Sequence, residues 1–172
     1  HRSFGENQIQ EVENKWIGYK KKSKDLKLHF VGAIQSRKTK SILNYCDVIH
    51  SIDRMKIVKL IKDYEKHNET VNKKYFIQVN IGNEDQKSGV MLDDIDLFIE
   101  DCKSKYELRI EGLMCLPPIN EDPTRHFNNL KHIATNHNLT SLSMGMSLDF
   151  REAIKCGSTH IRIGTQIFGP RN

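Results

Sequence analysis

The feature that most constrains this chain is a repeated switch of hydrophobic period. Short apolar, β-rich runs alternate with helix-length amphipathic stretches from end to end. The strand candidates are Phe4–Asn7, Leu28–Ile34, Val48–Asp53, Tyr75–Ile81, Leu108–Leu116, Ser141–Ser147 and His160–Phe168. Between them, Leu92, Ile95, Phe98, Ile99 and Cys102 recur at helical spacing, and Ile57, Val58, Ile61 and Tyr64 do the same. Asp149-Phe150-Arg151-Glu152 reads as a capping box opening a short helix that Gly157 can close. Strands separated by single helices pair in parallel, because each crossover returns the chain to the same end of the sheet. The fold class is therefore α/β.

The strand faces decide which α/β fold. In an open doubly wound sheet helices cover both faces, so the strands are apolar on both. Here Ser141, Ser143, Gly145 and Ser147 share one face, opposite Leu142, Met144 and Met146. His160, Arg162 and Gly164 oppose Ile161 and Ile163, and Gln78 and Asn80 oppose Ile77, Val79 and Ile81. One apolar face for helices and one small or polar face suit the wall of a (β/α)8 barrel whose mouth holds a polar ligand. Small side chains filling the axis account for the serines and the glycine. They do not account for Arg162, which needs an anionic or hydrogen-bonding partner because a buried unpaired charge is expensive. Seven strand–helix units are one short of a (β/α)8 barrel, which takes roughly 200–250 residues. The chain, residues 1–172, is thus expected to be one barrel domain that lacks its first strand.

Composition narrows the function classes. At 37% hydrophobic and 28% charged, the chain reads as globular rather than disordered or fibrous. No apolar run approaches the roughly 18–20 residues of a membrane span, and no signal-peptide pattern opens the chain. A cytoplasmic protein without a membrane partner is expected. Cys46, Cys102, Cys115 and Cys156 lie far apart, which argues against a disulfide framework or a zinc site and fits a reducing compartment. Cys115 reads as core rather than nucleophile. His126, His132 and His137 are spaced by six and five, poor for a shared metal, and read as surface histidines. No metal is expected. The sequons Asn68-Glu69-Thr70 and Asn138-Leu139-Thr140 read as chance.

Charge is uneven. Residues 1–40 carry ten Lys/Arg against four Asp/Glu, largely through Lys20, Lys21, Lys22, Lys24 and Lys27. Such a run is the solvated end of a helix or, in an alternative reading, an RNA- or anion-binding module. No aromatic strand motif accompanies it, so nucleic acid is not the expected partner.

Barrel sites lie at the C-terminal ends of the strands, and the last two loops often hold a phosphate. Met144-Gly145-Met146-Ser147 precedes the short helix, and Arg162-Ile163-Gly164-Thr165 ends the last strand. Both stretches offer hydroxyls, backbone N–H groups and a glycine, Gly145 or Gly164, where a Cβ would obstruct a ligand.

Several motifs stand in order along the chain: F-G-E-N at Phe4–Asn7, H-F-V-G-A-I-Q-S-R-K at His29–Lys38, H-S-I-D at His50–Asp53 and N-E-D-Q-K-S-G at Asn83–Gly89. They continue with G-L-M at Gly112–Met114, S-M-G-M-S-L-D at Ser143–Asp149 and R-I-G-T-Q-I-F-G at Arg162–Gly169. This series resembles the pyridoxal-phosphate homeostasis protein family, also called proline synthase co-transcribed homologue. The resemblance implies the barrel of the alanine racemase N-terminal domain, fold type III of pyridoxal-phosphate (PLP) enzymes. It implies a monomeric cytosolic PLP carrier that buffers the cofactor or delivers it to PLP-dependent apo-enzymes, with no firmly assigned turnover. It also implies that Ser147, Gly164 and Thr165 hold the phosphate, that Arg162 faces the pyridine nitrogen and that Asn7 lies beside the ring. His50 and Met146 are further candidate cofactor neighbours, and His50, which ends a strand near the mouth, either touches the ligand or packs. No catalytic residue is expected within the chain, because the family's Schiff-base lysine would lie on a strand upstream of His1. Lys87, in the loop after Tyr75–Ile81, is the fallback amine. The rival reading is a PLP-dependent amino-acid racemase or lyase, which in this fold adds a β-domain and a second acid/base residue.

Overall fold

The computed structural model describes residues 1–68 and 72–169. Seven strands lie side by side in chain order: β1 (Ser3–Glu6), β2 (Lys27–Phe30), β3 (Val48–Ile52), β4 (Lys74–Val79), β5 (Ile110–Cys115), β6 (Ser141–Met146) and β7 (His160–Arg162). Every neighbouring pair is parallel, with Gly5 beside His29, Phe30 beside Ile49, Ile77 beside Leu113 and Ser143 beside His160. Sequential order without a reversal is the topology of a barrel wall. Side chains across the axis show the curl directly. His29 of β2 and His160 of β7 are five strands apart, about 24 Å in a flat sheet. Their ring centroids are 5.8 Å apart. Among the described residues no ladder joins β1 to β7, so the barrel is nearly closed.

Helices cover the outer face, and those expected around residues 57–64, 92–102 and 150–156 lie on the expected crossovers. The helices are α1 (Ile9–Glu11) and α2 (Ile17–Lys22) joined by a π-turn over Val12–Trp16, then α3 (Thr39–Tyr45), α4 (Met55–Lys66), α5 (Ile95–Glu100), α6 (Pro123–Asn136), α7 (Phe150–Lys155) and α8 (Thr165–Phe168). Ile57, Val58 and Ile61 form the buried stripe of α4, while Ile95, Ile99 and Cys102 form that of α5 and the turn after it. The outer core joins these residues to the outward faces of the strands, Leu28, Ile49, Ile77, Leu113, Leu142 and Met144. A second, smaller cluster of Val48, Phe76 and Met114 fills the barrel axis. The two clusters are the two strand faces set apart by the alternation.

Four expectations need correction. The last strand stops at Arg162 instead of continuing to Phe168, because β6 gives β7 ladder partners only at His160 and Arg162. The chain then turns into α8, where Ile167 and Phe168 both donate to the Gly164 carbonyl. Asp149 stands at the N-cap of α7 without capping it. Its carboxylate turns back to accept the Met146 N–H at 2.6 Å, while Gly157 closes the helix at φ +98°. Gly145 is a packing glycine: at φ +92° its Cβ would lie 2.5 Å from the Ala153 Cβ of α7, so no ligand is needed to explain it. His126 is buried rather than on the surface, paired through Nε2 with Glu121. His132 and His137 contact Asn136 and Asp96 instead, and no metal-binding group of side chains occurs among the described residues. Glu69 and Thr70 of the first sequon lie outside the described residues. No helix among the described residues is long and apolar enough to cross a membrane.

Candidate functional site

Parallel strands all end at the same rim, so the loops after β1, β6 and β7 converge there. Arg162, the last residue of β7, sends its guanidinium inward. Nη1 donates to Ser143 Oγ at 2.8 Å and Nη2 donates to the Cys115 carbonyl at 2.9 Å. Both partners are neutral. Burial lowers the guanidinium's pKa from its ordinary value, with Cys115 and Asp149 opposing the shift. An arginine still keeps its proton at such a site. Cys115 is itself fully buried, and burial pushes its thiol up to about 12, which suits core packing and not a nucleophile.

Beyond Ser143, polar contacts continue across the axis. Ser143 Oγ lies 2.8 Å from His50 Nδ1, and His50 Nε2 lies 2.9 Å from His29 Nδ1. The His50 ring stacks on Phe76 at 4.4 Å between centroids and meets His160 edge-on at 5.6 Å. Burial drives all three imidazoles toward the neutral form. His29 falls to about 4, also lowered by His160, and His50 falls well below 6.5, also lowered by His29. His160 falls too, through burial and then Lys74, against Glu111. The strand expected for His50 is present, but His50 is its central residue and is buried, with both ring nitrogens engaged. It lies beneath the rim, not on it.

The rim itself carries Ser147, Gly164 and Thr165. Gln166 Nε2 donates to the Ser147 carbonyl at 2.8 Å, which ties the loop after β6 to the first turn of α8. Both hydroxyls therefore belong to one end of the barrel. Gly164 has no atom within 4 Å of where a Cβ would stand, in contrast to Gly145. The first N–H groups of α8 have no carbonyl partner within their own helix. Met146 is exposed beside this rim. Asn7 follows β1, where its N–H donates to Glu6 Oε1 at 3.0 Å and Trp16 Nε1 holds the other carboxylate oxygen at 3.3 Å. Gly32 makes the approach of the Asn7 backbone possible, since any Cβ there would overlap the Asn7 carbonyl. Lys87 also reaches the rim, but its Nζ pairs with Glu84 at 2.7 Å and leans on the Pro117 carbonyl at 3.4 Å.

Sequence reasoning missed Ser143, His29 and Gln166 as site residues. Each carried a signal: Ser143 lies on the same strand face as Ser147, His29 opens the His29–Lys38 motif, and Gln166 lies within the Arg162–Gly169 motif. The role of Gln166 depends on the turn after β7, which a strand reading of His160–Phe168 hides.

The family model for the alanine racemase N-terminal domain matches residues 1–172. A pyridoxal phosphate homeostasis protein of Haemophilus influenzae is 33% identical over 180 residues, covering 99% of this chain and 76% of the relative. The chain belongs to this family. The Pseudomonas aeruginosa member is 38% identical over 178 residues, covering 99% of this chain and 75% of its own. Among solved structures, PipY of Synechococcus elongatus with PLP bound superposes at a TM-score of 0.85 with 29% identity, covering 98% of this chain and 82% of PipY. Alanine racemase of Clostridium difficile superposes at 0.73 with 9% identity, covering 98% and 45%, and shows the shared fold alone.

Proposed function

We propose that this member of the pyridoxal phosphate homeostasis family binds PLP at the barrel rim and holds or delivers it without turnover of its own. The observation that carries the reading is Arg162, an inward-facing cation at the end of the last strand whose side-chain hydrogen bonds among the described residues go to neutral groups. A charge so placed calls for an electron-rich ligand above it. The rim fits the rest of that ligand. Ser147 and Thr165 offer hydroxyls, α8 offers its first N–H groups, and the open space at Gly164 leaves room for a phosphate.

In this reading Ser147, Gly164 and Thr165 hold the phosphate, Arg162 faces the pyridine nitrogen, Asn7 lies beside the ring and Met146 lines the edge. PLP supplies a reactive aldehyde and an electron-withdrawing ring when bound. Arginine has no acceptor, so opposite the ring nitrogen it favours the unprotonated pyridine, which makes a weak electron sink. That arrangement suits holding the aldehyde better than driving amino-acid chemistry. Residues 1–172 then act as one monomeric barrel domain, with PLP-dependent apo-enzymes as the recipients. All four cysteines are free and buried, which agrees with a reducing cytoplasm.

The test is a PLP titration of this chain followed by cofactor absorbance. Saturable binding is expected. Ser147→Ala with Thr165→Val weakens it without altering the circular dichroism spectrum. Indifference of this chain to PLP would overturn the reading, and equal affinity in the double variant would remove the two hydroxyls from the site.

A further inference from the structure

The chain of contacts beneath the rim has a direction. At the Arg162–Ser143 contact only arginine can donate, so Ser143 Oγ accepts there. Ser143 is fully buried, and its own proton has His50 Nδ1 as its one acceptor contact among the described residues. A neutral His50 that accepts at Nδ1 carries its proton on Nε2, and it donates this to His29 Nδ1. Every link is therefore made in one tautomeric state: guanidinium to serine, serine to His50, His50 to His29.

Protonating His50 breaks that order. A hydrogen on Nδ1 turns an acceptor into a donor, strands the Ser143 proton and adds a cation near Arg162. The groups that face His50 do nothing to offset this. They are His29 from β2, the Phe76 ring from β4, Ser143 from β6, and His160 and Arg162 from β7. Every titratable group acting on it opposes its charge. Further out, Lys27 and Asp47 act on His29 with opposite signs, and Lys74 and Glu111 act on His160 likewise.

We propose that Ser143, His50 and His29 are positioning residues that aim the Arg162 guanidinium, and that Arg162 grips a bound pyridine ring only while His50 is neutral. This rests on the PLP reading above. Two of the five N–H donors of Arg162 account for the contacts to Ser143 and Cys115, which leaves others for a ring nitrogen. The relay makes the direction in which those donors point depend on a residue buried beneath the rim.

Two measurements test it. Nitrogen-15 NMR of the histidine rings in the ligand-free protein is expected to show His50 protonated at Nε2 and bare at Nδ1. A bare Nε2 overturns the relay whether or not PLP binds. PLP affinity is then measured from pH 8 to pH 4.5 for the wild type, His50→Asn, His50→Leu and Ser143→Ala, with circular dichroism confirming the fold at each pH. His50→Asn keeps an acceptor for Ser143 without a titrating ring. It is expected to bind as the wild type does at pH 8 and to lose the wild type's extra decline in acid. Taking the ratio of the two affinities cancels the cofactor's own titration. His50→Leu and Ser143→Ala are expected to bind roughly tenfold more weakly than the wild type at pH 8, the scale of one lost hydrogen bond, and the gap is expected to narrow in acid as the wild type loses its own relay. Should the leucine variant fail to fold, the asparagine variant and the NMR still decide. A wild type that binds while all three variants match it at every pH overturns the proposal. A wild type that binds no PLP overturns the cofactor reading, and the pyridine half of the relay with it.

Discussion

The two faces of one sheet differ in how they are held. Outward, Leu28, Ile49, Ile77, Leu113 and Leu142 pack on helices in a continuous apolar layer. Inward, His29, His50, Ser143 and Arg162 form a single line of polar contacts beside a small cluster of Val48, Phe76 and Met114. Burial of the outer face is additive: each methyl group removed from water contributes its share, and no residue depends on a particular partner. On the inner face each member satisfies the next, so removing one leaves a buried donor or acceptor without its match. The outer face supplies stability, and the inner face supplies a defined direction for one cation.

Breaking the outer face carries the largest expected effect. Ile61→Ala in α4 is expected to cost about 2–5 kcal/mol of unfolding free energy, read from the urea midpoint. PLP affinity of the molecules that remain folded stays unchanged. A loss of a few tenths would mean that α4 is not packed on the sheet as described.

Next comes the inner line. Ser143→Ala is expected to cost about 1–3 kcal/mol, because it leaves an Arg162 donor and a His50 acceptor unmatched in the interior. Arg162→Met removes the charge and its desolvation together, so it is expected to cost less than Ser143→Ala or even to stabilise the fold. It is nevertheless expected to abolish PLP binding, read by the same titration. If the methionine variant proved the less stable of the two, the serine would not be the dependent partner.

Acid sharpens the contrast further. His29 has a folded pKa of about 4, against 6.5 for an ordinary histidine, with burial the main cause and His160 the second. Between those values the unfolded chain takes up a proton that the native chain refuses. Stability from this group is thus fully present above pH 6.5 and is lost as pH falls toward 4. His50 acts with the same sign. Urea midpoints recorded from pH 7 to pH 4 are expected to fall, and to fall less steeply in His29→Asn. Equal slopes would take His29 out of the acid response.

The rim gives the smallest effect on stability. Thr165 is exposed, so Thr165→Val is expected to change the urea midpoint by no more than about 0.5 kcal/mol. PLP binding is expected to weaken even so. A large loss of stability there would show that the hydroxyl serves the fold.

Much of this was readable before any coordinates. Seven strands and the helices that bury Ile61 and Ile99 follow from periodicity. The split into apolar and polar faces follows from alternation along β4, β6 and β7, and that split put Arg162 in the barrel. Local patterns failed where a tertiary neighbour outbid them. Ile163, Ile167 and Phe168 read as strand, yet a strand needs a ladder and β6 ends at Met146. Asp149 had the pattern of a cap and satisfied the Met146 N–H instead. Gly145 looked like ligand clearance and turned out to be room for Ala153.

What the sequence determined alone is the class of fold and the residues available at its rim, because period and motif order are properties of a one-dimensional string. The partners of Arg162 were decided only when the sheet curled. Cys115, Ser143, His50 and His29 stand on four different strands, and their meeting depends on barrel curvature and register, which no local window of residues encodes.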